Sequence, residues 1–224
     1  MPDLALDFVN HPYHRQVLKR ECRRAERSGA LGLLLCGSVA RGTASAASDL
    51  DLVLLWPEPH PFESEICVGT QVERHGETLE RAAARLEGYD ATLYGWAEGR
   101  ILLDPDGRLA ALQDCARALL TRYRTPQPLK RSLHRWLSST LAKLDASSDP
   151  GYQGFLVATT TWKLMEALCA VGDRPVPAST RLWELLPSLS EQPEGWQADL
   201  FAGDSSARVA SFRDVAAWVL PRLV

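Results

Sequence analysis

Asp49 and Asp51 are the two side chains in this sequence best placed to do chemistry together. They open an apolar run, Asp49 to Trp56, that reads as a strand, and residues two apart on a strand share a face. Two carboxylates held that close repel unless a cation or a shared proton lies between them. Their hard oxygens suit Mg²⁺, which binds through one or two carboxylates and completes its shell with phosphate oxygens and water.

What precedes the pair fits the same chemistry. Gly37 removes a side chain where backbone must approach a ligand, and Ser38 offers a hydroxyl and an amide at a helix start, which favours anions. Gly42, Thr43, Ser45 and Ser48 then form a loop of small groups with little to obstruct a triphosphate. An isolated Asp-x-Asp is usually a surface turn or a helix cap. Here it is joined to a strand and preceded by Gly-Ser, so it is treated as a motif.

The elements that must position these residues follow from periodicity. His14 to Ser28 reads as a helix whose outer face carries Lys19, Arg20, Arg23, Arg24 and Arg27, a solvated flank. Leu31 to Cys36 reads as a strand buried on both faces, and Asp49 to Trp56 as a second. Ile66 to Glu73 alternates, and is expected to be a third strand with one open face. Glu77 to Glu87 is expected to be helical, Ala91 to Tyr94 strand-like, and Asp104-Pro-Asp-Gly107 a turn into a helix at Leu109. Thr125-Pro-Gln-Pro128 interrupts helical text on both sides and marks the expected boundary, giving domains 1–124 and 125–224. Beyond it the pattern is helical throughout, so the fold class is α+β: a small mixed β-sheet flanked by helices, then an all-helical bundle.

Composition narrows the function. The chain has 224 residues, 46% hydrophobic and 24% charged, with a net charge of −3. That is globular, with a real core and no lysine and arginine surplus for an extended nucleic-acid surface. Five scattered cysteines form no CxxC pair and no zinc spacing, which points to reduced thiols. No secretory leader and no apolar run of membrane-spanning length is read, so the expected location is cytoplasmic, with no membrane partner.

The pattern Gly37-Ser38-x3-Gly42-x5-Ser48-Asp49-x-Asp51 resembles the signature of the DNA polymerase β-like nucleotidyltransferase superfamily. In layout the chain is similar to small bacterial members, the aminoglycoside, lincosamide and minimal nucleotidyltransferases. The motif spans Leu33 to Leu55; the order of a nucleotidyltransferase domain and a helical bundle extends the likeness more loosely. The resemblance implies that Ser38 and adjacent amides hold the β- and γ-phosphates of a nucleoside triphosphate, with ATP as the expected one. Gly37, Arg41 and Ser48 belong to the same cradle, although Arg41 reads equally well as plain surface. Asp49 and Asp51 would ligate two Mg²⁺ ions, and a nucleoside monophosphate would pass to an acceptor hydroxyl.

A third carboxylate, as metal ligand or general base, is usual in such enzymes. Glu73 is the first choice, on the open face of the third strand, and Asp90 the alternative. The expected acceptor is a small molecule with a hydroxyl, antibiotics included. Two other readings stay open. One is a protein-modifying, AMP-adding enzyme resembling antitoxins; the other is a degenerate nucleotide-binding regulatory module. In the helical half, Trp136, Trp162, Trp183, Trp196 and Trp218 are expected to pack in the core or between domains, and a homodimer through this half is expected of similar enzymes.

Overall fold

A five-stranded mixed sheet carries the first half of the chain. The computed structural model describes residues 6–89, 91–189 and 193–224. It falls into two compact units, divided after Arg122.

In the first unit, helix α1 (Pro12–Ser28) starts on Pro12, whose fixed φ suits a first helical turn. Strand β1 (Gly32–Leu35), a short helix α2 (Gly37–Arg41) and strand β2 (Leu50–Leu55) follow. Strands β3 (Glu63–Cys67) and β4 (Thr70–Glu77) form a hairpin, and β5 (Arg100–Leu103) closes the far edge. The order is β3-β4-β2-β1-β5; β2 and β4 run parallel, and every other neighbouring pair is antiparallel.

The faces of the sheet are covered differently. Leu33, Leu35, Leu50, Leu52, Leu54 and Val72 point to one side and bury against Val17, Leu18, Cys22 and Ala25 of α1. Leu34 and Leu55 point to the other, under helices α3 (Leu79–Glu87), α4 (Thr92–Glu98) and α5 (Arg108–Arg122). Asp104 starts α5 by accepting from the amides of Leu109 and Ala110 at 3.1 and 2.9 Å.

Several expectations change here. The single strand expected over Ile66 to Glu73 is a hairpin instead, turning at Val68-Gly69 between the paired residues Cys67 and Thr70. Both turn residues have positive φ, 52° and 77°, as a tight hairpin requires. A β-branched valine disfavours that conformation, which is why the turn left no mark in the sequence. Glu77 ends β4 rather than starting a helix, and Ala91 to Tyr94 is not a strand, because α4 runs over Thr92–Glu98.

The arginine-rich flank of α1 is not simply solvated. Arg24 pairs with Glu63 at 2.6 Å, and Arg20 bonds Glu21 and Glu65. Buried Arg74 of β4 grips buried Glu21 in a two-pronged contact at 2.6 and 2.9 Å. Charge-assisted pairs of this geometry suit a buried guanidinium, and here they fasten α1 to the hairpin.

The second unit is helical: α6 (Gln127–Ala146), α7 (Pro150–Val171), α8 (Ser179–Leu185), α9 (Trp196–Ala202) and α10 (Ser205–Val219). Asp149 and Asp204 cap α7 and α10 through their amides. Helix α7 packs against α6 and α10. It has 22 residues and is long and apolar enough, by length and composition, to cross a membrane, longer than the sequence reading allowed. Of the tryptophans expected to pack, Trp196 is buried, but Trp136, Trp162 and Trp183 are 48%, 45% and 53% exposed. Among the cysteines Cys22, Cys67 and Cys169 are buried, Cys36 is half-buried and Cys115 is exposed; all are free thiols.

Candidate active site

The end of β1 and the start of β2 meet beside the bend that leaves β1, with β4 alongside β2. The Cys36 amide donates to the Asp51 carbonyl at 2.8 Å, which fixes the β1–α2 bend against the start of β2. Gly37 follows with φ +70°, and a Cβ on it would collide with Asp51 Oδ2. Glycine is therefore required twice over, for the left-handed backbone and for the carboxylate that occupies its side-chain space. Ser38 lies half-buried in the first turn of α2.

Asp49 precedes β2 and is exposed; Asp51 lies within the strand and is half-buried. In the parallel pairing of β2 with β4, Asp51 is the register partner of Glu73. Register partners in neighbouring strands share a face, so Glu73 points to the side that carries Asp51. Gln71 Nε2 donates to Glu73 Oε1 at 2.8 Å, and His75 Nε2 lies 3.8 Å from Oε2.

The carboxylates of this cluster act on one another electrostatically. Burial raises the Asp51 pKa above the ordinary carboxylate range, and the charges of Asp49 and then Glu73 raise it further. His75 and Arg41 pull the other way, which places the half-buried Arg41 within electrostatic reach. Burial, followed by the charge of Asp51, pushes the neighbouring Cys36 thiol up to about 12. A thiol held protonated is no nucleophile.

The structure thus brings together Gly37, Arg41, Asp49, Asp51 and Glu73. Ser48 is nearby in sequence but spends its hydroxyl on the loop, accepting from the Ser45 amide at 3.0 Å and lying 3.4 Å from Ser45 Oγ. Asp90, the alternative third carboxylate, lies outside the described residues.

A set of residues missed in the sequence holds the loop from beneath. Asn10 Nδ2 donates to the Gly42 carbonyl at 3.0 Å, His11 Nε2 meets the Ala44 carbonyl at 3.2 Å, and buried His14 Nε2 meets the Ser48 carbonyl at 3.0 Å. A carbonyl only accepts, so the ring nitrogen of each histidine here carries the proton. These contacts span more than thirty residues of sequence, so no local pattern announces them.

Among the described residues no group of three or more histidine, cysteine, aspartate or glutamate side chains forms a ready-made metal site. The carboxylates nevertheless fit a magnesium ion in kind. They are hard oxygen donors, their mutual repulsion is what a cation relieves, and Mg²⁺ takes few protein ligands beside phosphates and water.

Residues 15–95 match the sequence family described as the nucleotidyltransferase domain. That span holds the bend, both aspartates and Glu73. A crystal structure of a nucleotidyltransferase-like protein from Exiguobacterium sibiricum is similar to the chain at 11% identity and a TM-score of 0.37, over 92% of this chain and 73% of that one. Among curated proteins no match is found.

Proposed function

We propose that the chain, whose residues 15–95 match the nucleotidyltransferase domain family, transfers a nucleoside monophosphate from a nucleoside triphosphate to a hydroxyl of a small-molecule acceptor. The observation that carries the reading is the pairing of Asp51 with Glu73 next to Asp49 and the Gly37–Ser38 bend.

Each residue has a defined task in this proposal. The Ser38 hydroxyl and neighbouring amides bind the β- and γ-phosphates, while Arg41 offsets their charge. Asp49 and Asp51 would hold magnesium, which when bound neutralises the triphosphate and lowers the pKa of the acceptor hydroxyl. Glu73, steadied by Gln71, accepts the proton of that hydroxyl. The acceptor oxygen bonds to the α-phosphorus as the bond to the bridging oxygen of the β-phosphate breaks. Pyrophosphate leaves on the Ser38 side. ATP is the proposed donor.

The test is transfer of label from α-labelled ATP, with Mg²⁺, onto a panel of hydroxyl compounds that includes aminoglycosides, nucleosides and aryl glycosides. A labelled small-molecule product with matching pyrophosphate supports the reading. Label found only on protein would move the assignment to protein modification.

A further inference from the structure

Among the described residues of the first unit, the half of the sheet formed by β3 and β4 is exposed on the face that carries Glu73. Ser64 is the register partner of Glu73, and Ile66 that of Gln71. Phe62, one step before β3, lies against His75 with ring centroids 4.9 Å apart. Alternation along both strands therefore puts Phe62, Ser64 and Ile66 of one chain segment, and His75, Glu73 and Gln71 of the other, on a single face. Phe62 is 54% and Ile66 79% exposed, and the His75 side chain is 44% exposed. Helix α3 meets the far end of β4, where Arg85 Nη1 donates to Glu77 Oε1 at 2.5 Å.

Resting on the function just proposed, we infer that this face is the acceptor subsite, and that it takes a hydroxyl compound with a flat apolar ring. In-line displacement puts the attacking oxygen opposite the leaving pyrophosphate. The phosphate bend follows β1, Asp51 lies on β2 and Glu73 on β4, so that line leads outward from β1 to β4 and β3. An acceptor whose hydroxyl meets Glu73 has its body over Phe62, Ile66 and His75. An exposed phenylalanine and isoleucine flanking one carboxylate offer a ring-sized apolar floor, with Ser64 and Gln71 as hydrogen-bond partners between. In this arrangement the triphosphate lies on the β1 side of Asp51, which leaves the face over β3 and β4 to the acceptor.

Saturation-transfer NMR tests this with phenyl β-D-glucopyranoside as probe and methyl β-D-glucopyranoside as control, each with Mg²⁺ and a non-hydrolysable ATP analogue. The expected result is saturation of the phenyl protons by the wild-type protein, little for the methyl glycoside, and about a tenfold weaker phenyl effect in Phe62→Ala with Ile66→Ser. Both positions are exposed, so the double variant is expected to fold and to keep its melting shift with Mg²⁺ and the analogue. Absence of phenyl saturation in the wild type, or equal saturation in the variant, overturns the subsite. Loss of the nucleotide-dependent melting shift in the variant also overturns it, by assigning the face to the nucleobase. A wild-type protein that shows no such shift at all would instead refute the nucleotidyl-transfer reading beneath it.

Discussion

Asp51 and Glu73 are register partners on parallel strands, so two carboxylates from segments twenty-two residues apart share one face. The arrangement separates the tasks of cation binding and proton removal without separating the groups. Glu73→Gln keeps the shape and the Gln71 neighbour but cannot take a proton. Transfer is expected to fall by about 10² to 10⁴-fold, while the melting shift with Mg²⁺ and ATP remains. Steady-state rates with full activity would pass the proton to another group.

Asp51→Asn should make the protein more stable and less useful. The raised pKa of Asp51 means that its charged form is disfavoured in the fold, by burial first and then by Asp49 and Glu73. A carboxyl whose folded pKa exceeds its unfolded value costs stability above the folded pKa, and the cost vanishes as the pH falls below the unfolded value. At neutral pH without metal the variant is therefore expected to gain on the order of 1 kcal/mol in denaturant melts, and to lose transfer. A lower midpoint than wild type would contradict the net cost of the Asp51 charge.

Gly37→Ala tests the bend. Its new Cβ meets Asp51 Oδ2 and its φ of +70° becomes strained. The expected cost is about 1–3 kcal/mol, with Asp51 displaced and transfer lost. Unchanged melting and activity would show that the two strands are not so closely apposed.

His14 should make the loop sensitive to acid. Burial lowers its pKa, the Ser48 carbonyl raises it in part, and His11 lowers it again. A histidine whose folded pKa is below its unfolded 6.5 costs stability as the pH falls through that value. Stability is expected to decline between about pH 7 and pH 5, and His14→Gln, which keeps a donor toward Ser48, should flatten that slope. Identical slopes in urea melts of the two proteins would remove His14 from the loop's support.

Arg74→Met takes the buried partner from Glu21 and leaves it only the half-exposed Arg20. With Arg20 still in place the loss is expected to be about 1–3 kcal/mol, beyond that of an exposed pair. Chemical denaturation measures it, and a change under about 1 kcal/mol would mean that Arg20 alone satisfies Glu21.

The sequence made the bend, both aspartates and the order of units readable because these depend on local pattern. Gly37, Ser38, Asp49 and Asp51 lie within fifteen residues of each other, and strand alternation or helical period describes their surroundings. Glu73 lies on an open strand face, as alternation implies, but on a strand that starts at Thr70 rather than Ile66. Val68 hid the hairpin turn, since nothing in an isoleucine-cysteine-valine run warns of positive φ. The clamp of Asn10, His11 and His14 and the Arg74–Glu21 pair were invisible because each joins segments distant in sequence. The strand-like text of Ala91 to Tyr94 that follows Asp90 enters helix α4 at Thr92.

Calorimetric titration of a non-hydrolysable ATP analogue, with and without Mg²⁺, tests the central claim most directly. Wild-type protein should bind the analogue with Mg²⁺ and at least tenfold more weakly without it. Asp49→Asn and Asp51→Asn should both abolish that metal dependence. Equal affinity with and without Mg²⁺ in the wild type, or an undiminished metal effect in both variants, would contradict it.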